Sequence, residues 1–203
     1  MCCFDINFIL LSGLLLMIFF TFLFFYLRYK NYKFDLAFLV AAITSFSYLL
    51  MFQGSFVTEF YEPIYYTRWI FYAASCSLLL VSIVNYLKIH KEKLMLLAPI
   101  NVLVMLTGAM AAITTDNYRW AYFLLSSLFY IFLLLLLFEN YQNNKKYKKI
   151  LMYIFFGWNV FPVVFLMAPE GFGLICSFTA TVLYLILDLF TKIVFYFDIN
   201  SKK

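Results

Sequence analysis

Asp188 and Lys192 lie four residues apart in the apolar run Leu187-Asp188-Leu189-Phe190-Thr191-Lys192. At that spacing two side chains share one helix face. An ionisable group sunk among apolar residues costs several kcal/mol, less when it is paired, so such a pair is a candidate functional site. The plainer reading is an ion pair that fixes helix packing. Against it, a buried lysine amine is readily tuned into a nucleophile that forms a Schiff base with a carbonyl. The protonated imine then needs a nearby carboxylate, and Asp188 is the one in reach. Aromatic residues make up 23% of the chain, with 27 Phe and 17 Tyr. Tyr72, Tyr122, Phe123, Trp158, Phe161 and Phe165 fall on three separate apolar segments. Alone such a stripe reads as core; beside the lysine it reads as the wall of a pocket for a long conjugated ligand.

The elements that position these residues follow from composition. Of 203 residues 66% are hydrophobic and 12% charged, with a mean hydropathy of +0.93. A soluble domain of this size cannot hide so much apolar surface, which excludes a soluble enzyme, a nucleic-acid binder and a disordered chain. Apolar stretches run over Ile6–Leu27, Leu36–Gln53, Tyr66–Leu87, Leu94–Thr115, Trp120–Phe138, Ile150–Leu166 and Ile175–Phe197. They are long enough to cross a bilayer as helices and too long for barrel strands. The connections are short, and no linker or repeat interrupts them. The first stretch has no basic region before it and no small-residue cleavage site after it, so it reads as a span rather than a signal peptide. The expectation is an all-α membrane protein, a seven-helix bundle forming one domain over residues 1–203. The cysteines, Cys2, Cys3, Cys76 and Cys176, are scattered and suggest neither a disulfide framework nor a metal site.

Charge sets the expected orientation. Arg28, Lys30, Lys33, Lys88, Lys91, Lys93, Lys145, Lys146, Lys148, Lys149, Lys202 and Lys203 fall at one end of the bundle, together with Asp35, Glu92, Glu139 and Asp198. Arg68, Arg119, Asp5, Glu59, Glu62, Asp116 and Glu170 fall at the other. The N-terminus is then outside and the C-terminus cytoplasmic, and the basic loops are topology determinants. Only Asp188 and Lys192 remain within the membrane. Cys2 and Cys3, placed outside, are weak candidates for lipid attachment. His90 sits among Lys88, Lys91, Glu92 and Lys93 and reads as a solvated loop residue.

Taken together these residues resemble a microbial (type 1) rhodopsin. Asp188-Leu-Phe-Thr-Lys192 is similar to the Asp-x-x-x-Lys signature of that family, and Trp158-Asn-Val-Phe161-Pro162-Val-Val-Phe165 is similar to its Trp-x-x-Tyr-Pro-x-x-Trp pattern. Glu170-Gly171 follows at the family's spacing. Tyr118-Arg119, Phe123, Ser126, Asn101, Thr107, Gly108 and Tyr48 agree on the fifth, fourth and second helices. The resemblance implies all-trans retinal bound as a protonated Schiff base at Lys192, with Asp188 as counterion. It also implies a pocket of Tyr72, Leu79, Gly108, Phe123, Ser126, Trp158, Phe161, Pro162 and Phe165. The partners it implies are retinal, the lipid bilayer and protons, in a homo-oligomer, commonly a trimer.

The third helix decides the subtype. With Arg68 on the family arginine, the segment reads Arg68-Trp69-Ile-Phe71-Tyr72-Ala-Ala-Ser75-Cys76, ending at Ser82. Outward proton pumps carry Asp at Phe71, Thr at Ser75 and a carboxylate at Ser82. Phe71, Ser75 and the adjacent Cys76 resemble the Phe-Ser-Glu motif of the schizorhodopsins, which are light-driven inward proton pumps. The departure is Ser82, where that family has the Glu that assists proton release to the cytoplasm. A register placing Arg68 at the counterion position would set a cation beside the protonated imine, and is rejected. In the expected mechanism Phe71 cannot accept the proton, which leaves past Cys76 and Ser82 towards bulk water, Asp198 or Glu139. Arg68 organises the outer half. Alternatives in other classes are a light-gated channel, a chloride-type pump or a sensory photoreceptor. The bulk of Phe71 disfavours an anion there. An enzyme is not expected, since no catalytic group beyond the imine lies in the membrane.

Overall fold

The structure, a computed structural model, describes residues 5–30, 34–54, 57–59, 62–139 and 141–200. Cys2, Cys3, Lys33, Lys202 and Lys203 lie outside them. Seven helices cross the apolar slab: α1 Ile6–Lys30, α2 Asp35–Phe52, α3 Thr67–Leu87, α4 Leu94–Ile113, α5 Tyr118–Phe138, α6 Lys145–Met167 and α7 Ser177–Asn200. Each is long and apolar enough to span a membrane, because a backbone in lipid must satisfy its hydrogen bonds within the segment. The seven expected spans are all present. The ends move by a few residues where the sequence supplies caps. Asn144 accepts from the amides of Lys146 and Tyr147, which starts α6 at Lys145 rather than Ile150. The Asp116 carboxylate accepts from the Tyr118 amide at 2.9 Å and starts α5 there. Lys88, in the left-handed region at φ 57°, ends α3.

The connection between α2 and α3 holds a short antiparallel ribbon, β1 Val57–Glu59 with β2 Pro63–Tyr65, where the sequence suggested only a loop. It is tied to the start of α7: the Ser177 amide donates to the Glu62 carboxylate, and the Ser177 hydroxyl donates to the Pro63 carbonyl at 2.9 Å. The cysteine expectation also needs correction. Cys176 is held in a disulfide, and Cys76 is the free thiol among the described residues. Scattered spacing does not reveal a bond that forms through space.

Packing is inside-out relative to a soluble protein only at the surface. Phe19, Phe22, Leu124, Leu128, Leu135, Phe155 and Phe156 are exposed around the belt, where lipid meets them. Inside, the helices close around two clusters, one on each half of the bundle. Two glycines set helix approaches that matter below. A Cβ on Gly13 of α1 would stand 2.5 Å from the Tyr48 ring of α2. A Cβ on Gly157 of α6 would collide with the Thr191 methyl of α7. At that contact both helices widen to π geometry, over Ile154–Trp158 and Leu189–Val194. Such turns re-aim the side chains that follow them and cluster at functional sites.

Candidate functional site

Lys192 sits in the widened turn of α7, with Asp188 at the end of the regular turn before it. Their side chains are each 1% exposed, and Lys192 Nζ lies 2.8 Å from Asp188 Oδ1. The contact is off the hydrogen-bond direction, so both atoms keep their bonding capacity within a fully buried pair. The other carboxylate oxygen, Oδ2, accepts from the Tyr48 hydroxyl at 3.1 Å. Tyr48 reaches it because Gly13 leaves room for its ring against α1. The ammonium also stands 4.0 Å above the Tyr72 ring of α3, a cation–π contact in a desolvated place. An isolated buried charge would be untenable. This one has a carboxylate and an aromatic face.

From Lys192 a cavity runs between α3, α4, α5 and α6. Of the residues expected to hold a ligand, Lys192, Tyr72, Gly108, Phe123, Ser126, Trp158, Phe161, Pro162 and Phe165 line it. Leu79 does not: it lines a second, smaller cavity beyond Trp158 and Thr191. Cys76 and Asn101 line the main cavity as well. Asn101 donates to the Ala73 carbonyl at 3.2 Å and to the Ser77 hydroxyl oxygen at 3.0 Å, fastening α4 to α3. The walls stack on one another, Phe123 on Phe165 at 5.2 Å and Phe161 on Tyr184 at 6.0 Å. Tyr122 packs behind this layer without lining the cavity. Sequence reasoning missed Trp69 as a wall. It precedes Tyr72 and Cys76 by three and seven residues, so helix periodicity alone puts all three on one face.

The remaining expected residues fall around the pair rather than in the cavity. Phe71 is half-buried and meets Phe46 of α2 edge-on at 5.6 Å. The α3 ring over the Lys192 nitrogen is that of Tyr72, and α3 holds no carboxylate. Ser75 is fully buried. Ser82 lies further along α3, within 2.8 Å of the Tyr196 hydroxyl. At the opposite end Arg68 is buried, its guanidinium 4.2 Å from the Tyr184 ring centre. Tyr184 donates to Glu170 Oε1 at 3.1 Å. Glu170 belongs to the connection after α6, folded inward by a turn in which Gly171 is required, since a Cβ there would meet the Leu166 carbonyl oxygen at 2.5 Å. Burial pushes the Glu170 carboxyl above its usual range; its own backbone, Arg68 and Tyr184 pull the other way. Arg119 reaches the Glu170 and Gly171 carbonyls, each at 3.4 Å. Arg68, Tyr184 and Glu170 thus form a polar cluster that the sequence showed only as separate residues.

The residues fit a covalently held, conjugated carbonyl compound. A buried amine with unspent bonding capacity opens into an aromatic cavity, beside a carboxylate that can balance the charge of an imine. Fold and site together define a seven-helix membrane protein built around a buried lysine. The family model described as bacteriorhodopsin-like protein matches residues 5–199, and the chain belongs to that family, the microbial rhodopsins. Members carry a retinal chromophore bound to a lysine. Archaerhodopsin-2 of Halobacterium sp. (strain aus-2) is 24% identical over 175 residues, covering 78% of this chain and 68% of that protein. Bacteriorhodopsin-II of Haloarcula marismortui is 27% identical, with 78% and 70% covered. Among solved structures, schizorhodopsin 4 superposes with a TM-score of 0.92 at 35% identity, covering 98% of this chain and all of that one. The light-driven proton pump of Coccomyxa subellipsoidea shares the fold, with a TM-score of 0.86 at 20% identity over 98% and 96% of the two chains.

Proposed function

We propose that this chain is a light-driven inward proton pump, one retinal-binding domain with all-trans retinal held as a protonated Schiff base on Lys192. One observation carries the direction. The carboxylate against Lys192 Nζ is Asp188 of α7, with Oδ2 already bonded by Tyr48, and α3 supplies no second carboxylate beside it. An outward path needs an acceptor on α3, and Phe71 is turned to Phe46. The similarity to schizorhodopsin 4 agrees with that arrangement. Retinal, when bound, supplies a light-triggered isomerisation that redirects the Lys192 nitrogen and weakens its hold on its proton. Asp188 balances the nitrogen's charge in the dark, and Tyr72 and Trp158 restrict where the nitrogen can turn. Arg68, Tyr184 and Glu170 line the side from which a proton would be restored.

The orientation belongs to the same reading: N-terminus outside, C-terminus cytoplasmic. The basic residues at one end support it. So does the Cys176 disulfide at the other, since disulfides persist in oxidising surroundings. Photocurrent under voltage clamp tests the function. A pump gives inward current at zero driving force that keeps its sign as the voltage is stepped. A current that reverses with the proton or chloride gradient identifies a channel, and a coloured protein without current identifies a photoreceptor. Either overturns the proposal.

A further inference from the structure

The geometry points to Asp198, reached through Tyr153, as the group that accepts the transported proton at the far end of α7. This rests on the inward-pump reading. It supplies the acceptor that Ser82 does not. The Ser82 hydroxyl is engaged by the Leu78 carbonyl at 3.1 Å and by the Tyr196 hydroxyl at 2.8 Å. Tyr196 is itself buried and fenced by Phe24 and Phe195. The Ser82 contacts supply a carbonyl and a hydroxyl but no carboxylate.

A second branch runs to the surface. A small cavity adjoins the ligand cavity, sharing Trp158 and Thr191 as wall residues. Tyr153 and Thr191 are its polar lining residues, and the route crosses it between them. Tyr153 donates its hydroxyl to Asp198 Oδ2 at 3.2 Å. Lys149 Nζ lies 2.7 Å from Asp198 Oδ1, and the Asp198 side chain is 31% exposed. A proton arriving at the Tyr153 oxygen therefore releases the phenolic proton to Asp198 Oδ2. The N–H bond at Lys192 breaks, an O–H bond forms on Asp198, and Tyr153 ends as it began. The solvent-facing carboxyl then discharges to water. Glu139, the other carboxylate at this end with a lysine partner among the described residues, is held by Lys93 at the tip of α5, 59% exposed and bordering neither cavity.

The test uses full-length protein loaded with all-trans retinal, comparing wild type with Asp198→Asn, Asp198→Glu and Tyr153→Phe. Time-resolved visible absorption follows proton loss from the Lys192 nitrogen, time-resolved infrared follows carboxyl protonation, and a suspension pH electrode follows net transport. The expected result for Asp198→Asn is an unchanged dark spectrum, proton loss slowed at least tenfold, and loss of a transient carboxylic-acid C=O band. Asp198→Glu keeps the band at a shifted frequency. Tyr153→Phe keeps the band but slows its appearance. An Asp198→Asn protein that retains both the rate and the band overturns the assignment while leaving the pump intact. A wild type that moves no protons inward removes the underlying reading instead. Should Asp198→Asn fail to form pigment, Tyr153→Phe decides: an unchanged rate of band appearance refutes the route.

Discussion

Replacing Gly13 by Ala perturbs the site from another helix, without touching any residue of the ligand cavity. The added Cβ would stand 2.5 Å from Tyr48 Cε1 and 2.7 Å from Cδ1. Carbon atoms rest at about 3.5–4.0 Å, so the ring must retreat by about 1 Å. Its hydroxyl is 3.1 Å from Asp188 Oδ2, and a retreat of that size carries it to about 4 Å, beyond hydrogen-bond range. Overpacking costs about 1–3 kcal/mol. Losing a hydrogen bond to a buried carboxylate adds about 1.5–3 kcal/mol. The better helix propensity of Ala returns about 1 kcal/mol. The expected net loss is about 1.5–5 kcal/mol, read as a lowered unfolding midpoint of the purified pigment. The absorption maximum should move to shorter wavelength as the carboxylate charge, no longer shared with Tyr48, concentrates near the Lys192 nitrogen. The substitution should couple to Tyr48: in a Tyr48→Leu background, where no ring stands in the way, the cost of Gly13→Ala falls by more than 1 kcal/mol. A Gly13→Ala protein as stable as wild type, with an unmoved spectrum, would refute the argument that Gly13 positions Tyr48.

Three other outcomes follow from the site. Lys192→Ala should abolish visible colour on addition of retinal while leaving a folded seven-helix protein by circular dichroism. Colour surviving that change would place the attachment elsewhere. Glu170 keeps its proton more firmly folded than unfolded, so stability should be greatest at acid pH and fall as pH rises from the ordinary carboxyl range through the raised value. Glu170→Gln, which still accepts from Tyr184, should flatten that slope in a pH series of unfolding temperatures; an unchanged slope would exclude Glu170 as its source. Ser82→Glu should raise inward transport per mole of pigment by adding an acceptor nearer Lys192, and an unchanged current would count against the inward path.

Much of this was legible in the chain. A lysine and an aspartate four apart on an apolar helix predict a buried pair whatever the tertiary structure, since no solvent is available within the span. The spans were equally plain, because lipid leaves the backbone no choice but helix. Cavity walls such as Phe161 and Phe165 were legible as aromatics on one apolar segment, and Pro162 through the family resemblance. What stayed hidden depends on contacts between segments. The widened turns at Trp158 and Lys192 answer to the Gly157–Thr191 approach, which no local pattern announces. Tyr48 meets Asp188 across 140 residues of chain, and Glu170 turns inward only because Gly171 allows it. Leu79 falls on the right face of α3 yet one layer too deep, behind Trp158, a distinction of depth that periodicity does not carry.

The central claim is the direction of the proton. Cells expressing the protein, supplied with all-trans retinal and illuminated in a weakly buffered suspension, report it through a pH electrode. The account predicts alkalinisation of the medium on illumination, abolished by a protonophore and absent in Lys192→Ala. Acidification under the same light would contradict it, and so would a coloured wild-type protein that leaves the pH unmoved.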